Sequence, residues 1–221
     1  MTGNFPAKEL HSWLRHAAGE NNVERVQALI AQGANPYDVD EQGLSAFNHA
    51  NSNGLEVLRY LTEIAFADTQ KPAAERRWPA YGINTPSGAY DSTLLTYACK
   101  ACDAGTVRAM INAGADPAIV NKSGWNLLHA AAVMPGRLEL IKLLRETLGI
   151  ESLKATTSQP YETRYGKQLV TYVEELTPAE LCIARMDQDK NHPAELKDYL
   201  PWLSPCLRAT PIASENIGLI S

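Results

Sequence analysis

The chain lacks several features that assign a protein to a functional class at sight. Its 221 residues contain no run of basic side chains and carry a net charge of −5, so a nucleic-acid partner is not expected. No apolar stretch approaches the length that spans a bilayer. The first ten residues lack a charged start followed by an apolar segment, so no secretory signal is expected. The four cysteines make no disulfide framework, which favours reduced thiols in a cytoplasmic protein.

Catalytic and metal-binding signatures are missing as well. There is no Gly-x-Ser-x-Gly, no phosphate-cradling glycine loop and no His-Glu-x-x-His. Cys99 and Cys102 have the spacing of half a zinc site, but Cys182 and Cys206 lie 24 residues apart and supply no second half. We interpret Cys99 as a small buried side chain. The sequence therefore predicts no catalytic residue, no metal ligand and no cofactor.

What the chain does contain is a periodic pattern, clearest in residues 107–144. Val107, Met110 and Ile111 fall at i, i+3 and i+4, the spacing of an apolar stripe on a helix. Gly114 follows the last apolar turn, where a positive φ closes a helix without steric cost. A run of small residues and a second apolar run complete the stretch. One such unit leaves apolar surface uncovered on both sides, so it must stack on copies of itself.

The pattern recurs at a fixed distance. Ser12 and Ser45 start similar segments 33 residues apart, and so do Thr93 and Asn126. The step from Ser45 to Thr93 is 48 residues, and the step from Asn126 to Thr177 is 51 residues. The longer steps indicate two insertions in an otherwise regular array.

Residues 12–18 read Ser-Trp-Leu-Arg-His-Ala-Ala, and residues 126–132 read Asn-Leu-Leu-His-Ala-Ala-Ala. Gly-Ala-Asn-Pro at 33–36 closes the first unit, and Gly-Ala-Asp-Pro at 114–117 closes the third. These segments resemble the ankyrin repeat. The resemblance implies an all-α fold, an ankyrin-repeat solenoid of about five helix-turn-helix units with hairpin-like inserted loops. We expect an array over 1–204 with units near 6–40, 41–66, 91–120, 121–150 and 177–204, insertions at 67–90 and 151–176, and a C-terminal tail or cap at 205–221.

The two insertions differ in composition. Residues 67–90 are rich in proline, glycine and aromatic side chains, and we interpret them as a partly ordered loop. In the second insertion, residues 163–165 and 168–173 flank Gly166, which fits a β-hairpin.

The resemblance also implies a binding surface, because ankyrin repeats bind proteins through their projecting turns and first helices. Trp125 is the first choice as an interface anchor; the alternative, packing beneath the second insertion, is equally open. His129 matches the family's histidine, whose usual role is to hydrogen-bond between neighbouring repeats. Carried over position by position, the partner-binding residues are Glu41, Gln42, Leu44, Asn53, Tyr90, Ser92, Lys100, Lys122, Trp125, Val133 and Met134, to which Tyr165 of the second insertion is added.

These features predict a cytoplasmic protein-interaction module that binds a protein partner and binds neither nucleic acid nor a membrane. Two versions stand open: an immunity or inhibitor protein whose loops plug a toxin or enzyme, and an adaptor or host-delivered effector. A different class, an enzyme on a degenerate repeat scaffold, would need Arg164, Tyr165, Lys167 and Glu174 to converge in a pocket.

Overall fold

The fold is described from a computed structural model of the full chain. The structure describes residues 6–50, 55–149, 152, 155–158, 161–165, 168–172, 176–188 and 197–203. The expected tail at 205–221 and most of the expected second helix of the fifth unit lie outside these residues. Within them, no helix is both long enough and apolar enough to cross a membrane.

The chain divides into two units, one formed by Met1–Cys102 with Ala109–Asp116 and the other by Asp103–Arg108 with Pro117–Ser221. The first unit holds helices α1 (Ala7–Gly19), α2 (Val23–Ala31), α3 (Ala46–Ala50), α4 (Glu56–Thr69) and α5 (Leu94–Ala101), and a 3₁₀ turn at Ala73–Glu75. Helix α6 (Ala104–Asn112) has residues in both units. The second unit holds α7 (Leu127–Ala132), α8 (Leu138–Leu148), strands β1 (Tyr161–Tyr165) and β2 (Gln168–Tyr172), α9 (Pro178–Gln188) and α10 (Leu200–Leu203).

Side-chain caps set where several helices begin. The Asn22 side chain accepts a hydrogen bond from the backbone N–H of Arg25 at the start of α2. Thr93 caps α5 in the same way through the N–H of Thr96. Such caps satisfy backbone donors that have no partner inside the helix. Thr93 is one of the recurring residues that mark the repeats in the sequence, whereas Ser12, its counterpart in the first repeat, lies inside α1, which begins after Pro6 without a side-chain cap.

Helix packing in the first unit is local. Helix α1 contacts α2 and α3, while α4 contacts α2, α3 and α5. Small residues such as Ala17 and Ala50 are fully buried beside Leu14 and Phe47, because side chains this small let neighbouring helices approach closely. In the second unit α7 contacts α8 and α9, and α10 contacts the same two helices.

The first insertion begins later than predicted, because α4 continues through Thr69. Its last turn carries Asp68, which is only 4% exposed. The Asp68 carboxylate accepts hydrogen bonds from the backbone N–H groups of Arg77 (2.9 Å) and Trp78 (3.0 Å) and from Lys71 Nζ (3.0 Å). Burial alone would raise the pKa of Asp68, but these donors outweigh it and hold the pKa below its usual value.

An aromatic cluster continues this attachment. Trp78, which is 7% exposed, meets Tyr37 edge to face with 5.9 Å between ring centroids. Tyr81 stacks on Tyr37 at 3.8 Å, Tyr37 contacts Phe47 at 5.1 Å, and Phe47 stacks on Tyr97 at 5.1 Å. The first insertion is thus part of the core of its unit, not a loosely held loop.

A third contact holds the C-terminal half of the first insertion. Asn84 donates from Nδ2 to the carbonyl oxygen of Gly114 (2.9 Å) and accepts from the N–H of Asp116 at 2.8 Å. One amide side chain thereby satisfies a backbone acceptor and a backbone donor just after α6.

The second insertion is attached mainly through its backbone. Asn126 Nδ2 donates to Ser152 O at 2.7 Å, and the N–H of Ser158 donates to Ser123 O at 2.9 Å; within the insertion, the N–H of Thr157 donates to Leu176 O at 3.0 Å. Gly124 permits the second contact: its φ is +73°, and a Cβ there would lie 2.7 Å from the Ser158 nitrogen. The strands form the expected hairpin, antiparallel with Tyr161 opposite Tyr172.

Candidate protein-binding surface

Three projecting turns carry most of the predicted contact residues. We call residues 37–44 turn A, 86–93 turn B and 121–125 turn C. Turns A and B belong to the first unit, whereas turn C belongs to the second.

Turn A is organised by one carboxylate. Asp40 Oδ1 accepts hydrogen bonds from the N–H groups of Gln42 and Leu44, each at 2.9 Å. Its other oxygen lies 2.9 Å from Nε2 of His49. Burial opposes ionisation of Asp40, but the hydrogen bonds from Leu44 and His49 outweigh it, so the pKa of Asp40 is lowered. Backbone donors held by a charged acceptor make this turn rigid.

Turn B is closed by a backbone bridge. The N–H of Ser87 donates to Ser92 O at 3.0 Å, and the N–H of Ser92 donates to Ser87 O at 3.2 Å. Gly88 has a φ of +69°, and a Cβ added there would lie 2.1 Å from Asn48 Oδ1. Asn48 therefore occupies space that only a glycine leaves open.

Turn C repeats the arrangement of turn A with an amide. Asn121 Oδ1 accepts hydrogen bonds from the N–H groups of Ser123 (2.9 Å) and Trp125 (3.0 Å). The Trp125 indole is half-buried and stacks on the His129 ring with 6.3 Å between centroids. Part of the indole is therefore already in contact within the unit.

This shared arrangement was missed in the sequence, although it left a signal. Asp40 and Asn121 each stand three residues before a glycine of positive φ, namely Gly43 and Gly124. Aspartate and asparagine hydrogen-bond backbone two residues on, so an Asp or Asn at this spacing before a glycine identifies the residue that organises the turn.

The predicted contact residues differ widely in exposure. Glu41, Gln42 and Lys122 are exposed, Tyr90 is 49% exposed, and Leu44, Lys100 and Met134 are half-buried. Ser92 and Val133, at 5% and 6%, are buried. Here the structure departs from the expectation of surface positions, because Ser92 closes turn B and Val133 ends α7. Asn53 lies outside the described residues, and of Tyr165 only its place in β1 is described.

Two of the half-buried residues have further constraints. Burial lowers the pKa of Lys100 to about 8, because a low-polarity environment disfavours the ammonium form. The carbonyl oxygen of Met134 accepts a hydrogen bond from the Tyr199 hydroxyl at 2.9 Å, which fixes the end of the first helix of this repeat.

His129 has the structural role that the family resemblance implies. It is fully buried, its Nδ1 accepts from the N–H of Asn126 at 3.2 Å, and its Nε2 lies 3.0 Å from Leu176 O. With Nε2 protonated, the neutral ring satisfies both contacts and joins its own repeat to the start of the next. Burial lowers the pKa of His129 to about 4, so the ring is neutral at pH 7.

Chemistry at other sites has little support within the described residues, where no cluster of three His, Cys, Asp or Glu side chains could hold a metal ion. Cys99, Cys102 and Cys182 are buried, and burial raises the pKa of Cys182 to about 12. Of the residues that an enzyme site would need, Arg164 lies in β1, while Lys167 and Glu174 lie outside the described residues.

Comparison with known proteins supports the repeat interpretation. Residues 79–154 match the family model for ankyrin repeats (3 copies), a range that covers turns B and C and helices α5 to α8. No curated protein matches the chain. Ankyrin repeats are generally non-enzymatic scaffolds and indicate a protein–protein interaction module. The all-α repeat fold expected from the sequence is confirmed, and the resemblance to ankyrin repeats is confirmed for residues 79–154.

Proposed function

We propose that this protein binds a protein partner through its projecting turns and thereby inhibits it, as an immunity protein inhibits a toxin. The observation that carries the proposal is the construction of turns A and B. Each is held by internal hydrogen bonds, through Asp40 and through the Ser87–Ser92 bridge, yet each leaves large side chains exposed. Rigid turns lose little conformational entropy on binding, which favours affinity.

Tyr90 is the strongest contact candidate in the first unit, because it is both large and 49% exposed. Tyrosine anchors of this kind contribute about 2 kcal/mol or more when they are truncated at an interface centre. Trp125 is the corresponding candidate of the second unit, but its half-buried indole offers a partner less new contact area than Tyr90 does.

The test is affinity purification from the native cells with three baits, followed by mass spectrometry. The baits are the parent, Tyr90→Ser and the control Gln27→Ser, whose residue is exposed on the second helix α2. We expect one partner to be retained by the parent and the control and lost with Tyr90→Ser. A partner that Tyr90→Ser retains and Gln27→Ser loses would overturn the proposed surface.

The inhibitory role has its own readout. Once the partner is purified, its activity is measured against increasing amounts of this protein, and we expect complete loss of activity at equimolar ratio. A partner that stays fully active in the complex, and that this protein links to a further protein, would indicate an adaptor or effector scaffold instead.

Lys142 and Arg145 also lie on a second helix, α8, but substitutions there would be poor controls for the binding experiment. Lys142 Nζ and the Arg145 guanidinium lie 5.2 and 5.6 Å from the ring centroid of Trp202. Replacing either cation removes a cation–π contact inside the second unit, so a loss of binding would have two explanations.

A further inference from the structure

The first unit exposes two large apolar side chains on adjacent turns. Among the described residues of this unit, Val39 of turn A (46% exposed) and Tyr90 of turn B (49%) are its exposed large hydrophobics. The turns meet: a Cβ added at Gly43 would lie 3.6 Å from Ala89 Cβ. The two side chains therefore belong to one surface, which we call the A–B surface (turns A and B).

The charge on the A–B surface has one sign. Its residues include four carboxylates and no lysine, arginine or histidine in the sequence of either turn; the four are Asp38, Asp40, Glu41 and Asp91. Two of them are engaged from neighbouring helices, Asp38 by Arg15 NH1 at 2.6 Å and Asp40 by His49 Nε2 at 2.9 Å. Glu41 projects as an exposed residue at the tip of turn A.

This combination selects the chemistry of a partner. Carboxylates that flank exposed apolar groups repel acidic surfaces and attract basic ones, which raises association rates and suppresses wrong partners. An arginine side chain fits both features at once, since its guanidinium pairs with a carboxylate and stacks on a tyrosine ring.

We propose that the A–B surface binds a basic protein surface, one in which arginine or lysine side chains flank an apolar group placed between Val39 and Tyr90. This inference rests on the proposed function and deepens it by naming the chemical class of the partner. It concerns the first unit alone.

The probe is a synthetic fluorescent peptide with arginines on both sides of a leucine, and its counterpart has glutamates in place of the arginines. Binding to the full chain is measured by fluorescence anisotropy. One variant is Glu41→Gln with Asp91→Asn, which removes two charges from the A–B surface; asparagine tolerates the φ of +50° found at Asp91. The matched control, Glu24→Gln with Glu63→Gln, removes two charges from exposed positions of the helices α2 and α4.

We expect the basic peptide to bind, with about fivefold weaker affinity in the A–B variant and less than about twofold weaker affinity in the control, because only one pair of charges faces the peptide. Tyr90→Ser should weaken binding by a similar factor. Equal losses in the two charge variants, or equal binding of the acidic peptide, would overturn the inference.

The outcome separates the two proposals. A partner recovered through Tyr90 whose affinity stays constant between about 50 and about 500 mM salt would overturn the basic-partner inference and leave the proposed function standing. If the basic peptide binds the A–B surface but the cellular partner does not require Tyr90, the basic-partner inference stands and the proposed function is overturned.

Discussion

The two inserted segments are attached to their repeats by different chemistry. The first is held by side chains: a buried carboxylate, an indole inside an aromatic cluster, and one asparagine amide. The contacts described for the second mostly use backbone atoms of the inserted segment itself, at Ser152, Ser158 and Leu176, whichever group of the repeat they meet. An attachment through side chains depends on residue identity, whereas an attachment through the backbone depends on the shape of the chain. Truncating a side chain should therefore destabilise the first insertion most, whereas replacing a glycine with alanine should destabilise the second most.

The largest effect is expected where one side chain holds the first insertion. Trp78→Ala removes a side chain that is 93% buried and should lower the free energy of unfolding by about 3–5 kcal/mol. The measurement is urea unfolding followed by far-UV circular dichroism. Tyr90→Ala, in the same part of the chain but exposed, is the control and should change the value by no more than about 0.5 kcal/mol. Coincident curves for Trp78→Ala and the parent would show that the insertion is not part of the core.

A second effect should appear only at low pH and only in the second unit. Burial lowers the pKa of His129 from its usual 6.5 to about 4, so the unfolded chain binds the proton first as the pH falls. Stability is complete above pH 6.5 and declines toward pH 4, by on the order of 3 kcal/mol. In His129→Gln, whose amide can take the place of Nε2, this component of the pH dependence should vanish. An unchanged slope between pH 6.5 and pH 4 would contradict the assignment.

Backbone shape should matter most at the second insertion. Gly124→Ala adds a Cβ only 2.7 Å from the Ser158 nitrogen, whereas Gly136→Ala, with a similar φ of +70°, meets no atom within 4 Å. Both variants suffer the strain of a positive φ, so their difference isolates the contact with the insertion. We expect Gly124→Ala to cost about 1–3 kcal/mol more than Gly136→Ala in urea unfolding. Equal losses would mean that the segment moves aside freely.

The smallest effect is expected from removal of the hairpin itself. Deleting Tyr161–Tyr172 and joining the ends with a Gly-Ser turn should lower stability by less than about 1 kcal/mol, since loop length contributes little to closure entropy. A deletion that begins at Thr157 instead removes a buried residue whose N–H donates to Leu176 O, and it should be clearly more destabilising. Thermal unfolding of the two deletions side by side measures the difference.

Features that recur in every repeat could be predicted from the sequence, whereas features that depend on a single contact could not. The helix starts at Thr93 and Asn126, and the role of His129, follow from the period and from the family pattern. The attachment of the first insertion was not predictable in this way, because Asp68 and Trp78 are ten residues apart and match no repeat position. Among the candidate contacts, burial of Ser92 and Val133 depends on how each turn folds back, which periodicity does not specify. The division of the chain into five units, and the contact role of each exposed residue, stay predictions.

The capping positions of the first helices bear on how such a chain avoids folding one repeat out of place. Similar units in tandem can exchange neighbours, because their apolar faces are alike. Here the equivalent pairs are chemically distinct. Asn48 Nδ2 in one repeat donates to the Tyr97 hydroxyl of the next, whereas His129 Nε2 lies 3.0 Å from Leu176 O at the start of the repeat that follows it. A slipped pairing would leave these buried polar groups without partners, at about 1–3 kcal/mol for each. The variation between repeats makes them hard to recognise in the sequence. The same variation favours the pairing of each repeat with its correct neighbour, because other pairings leave polar groups unsatisfied.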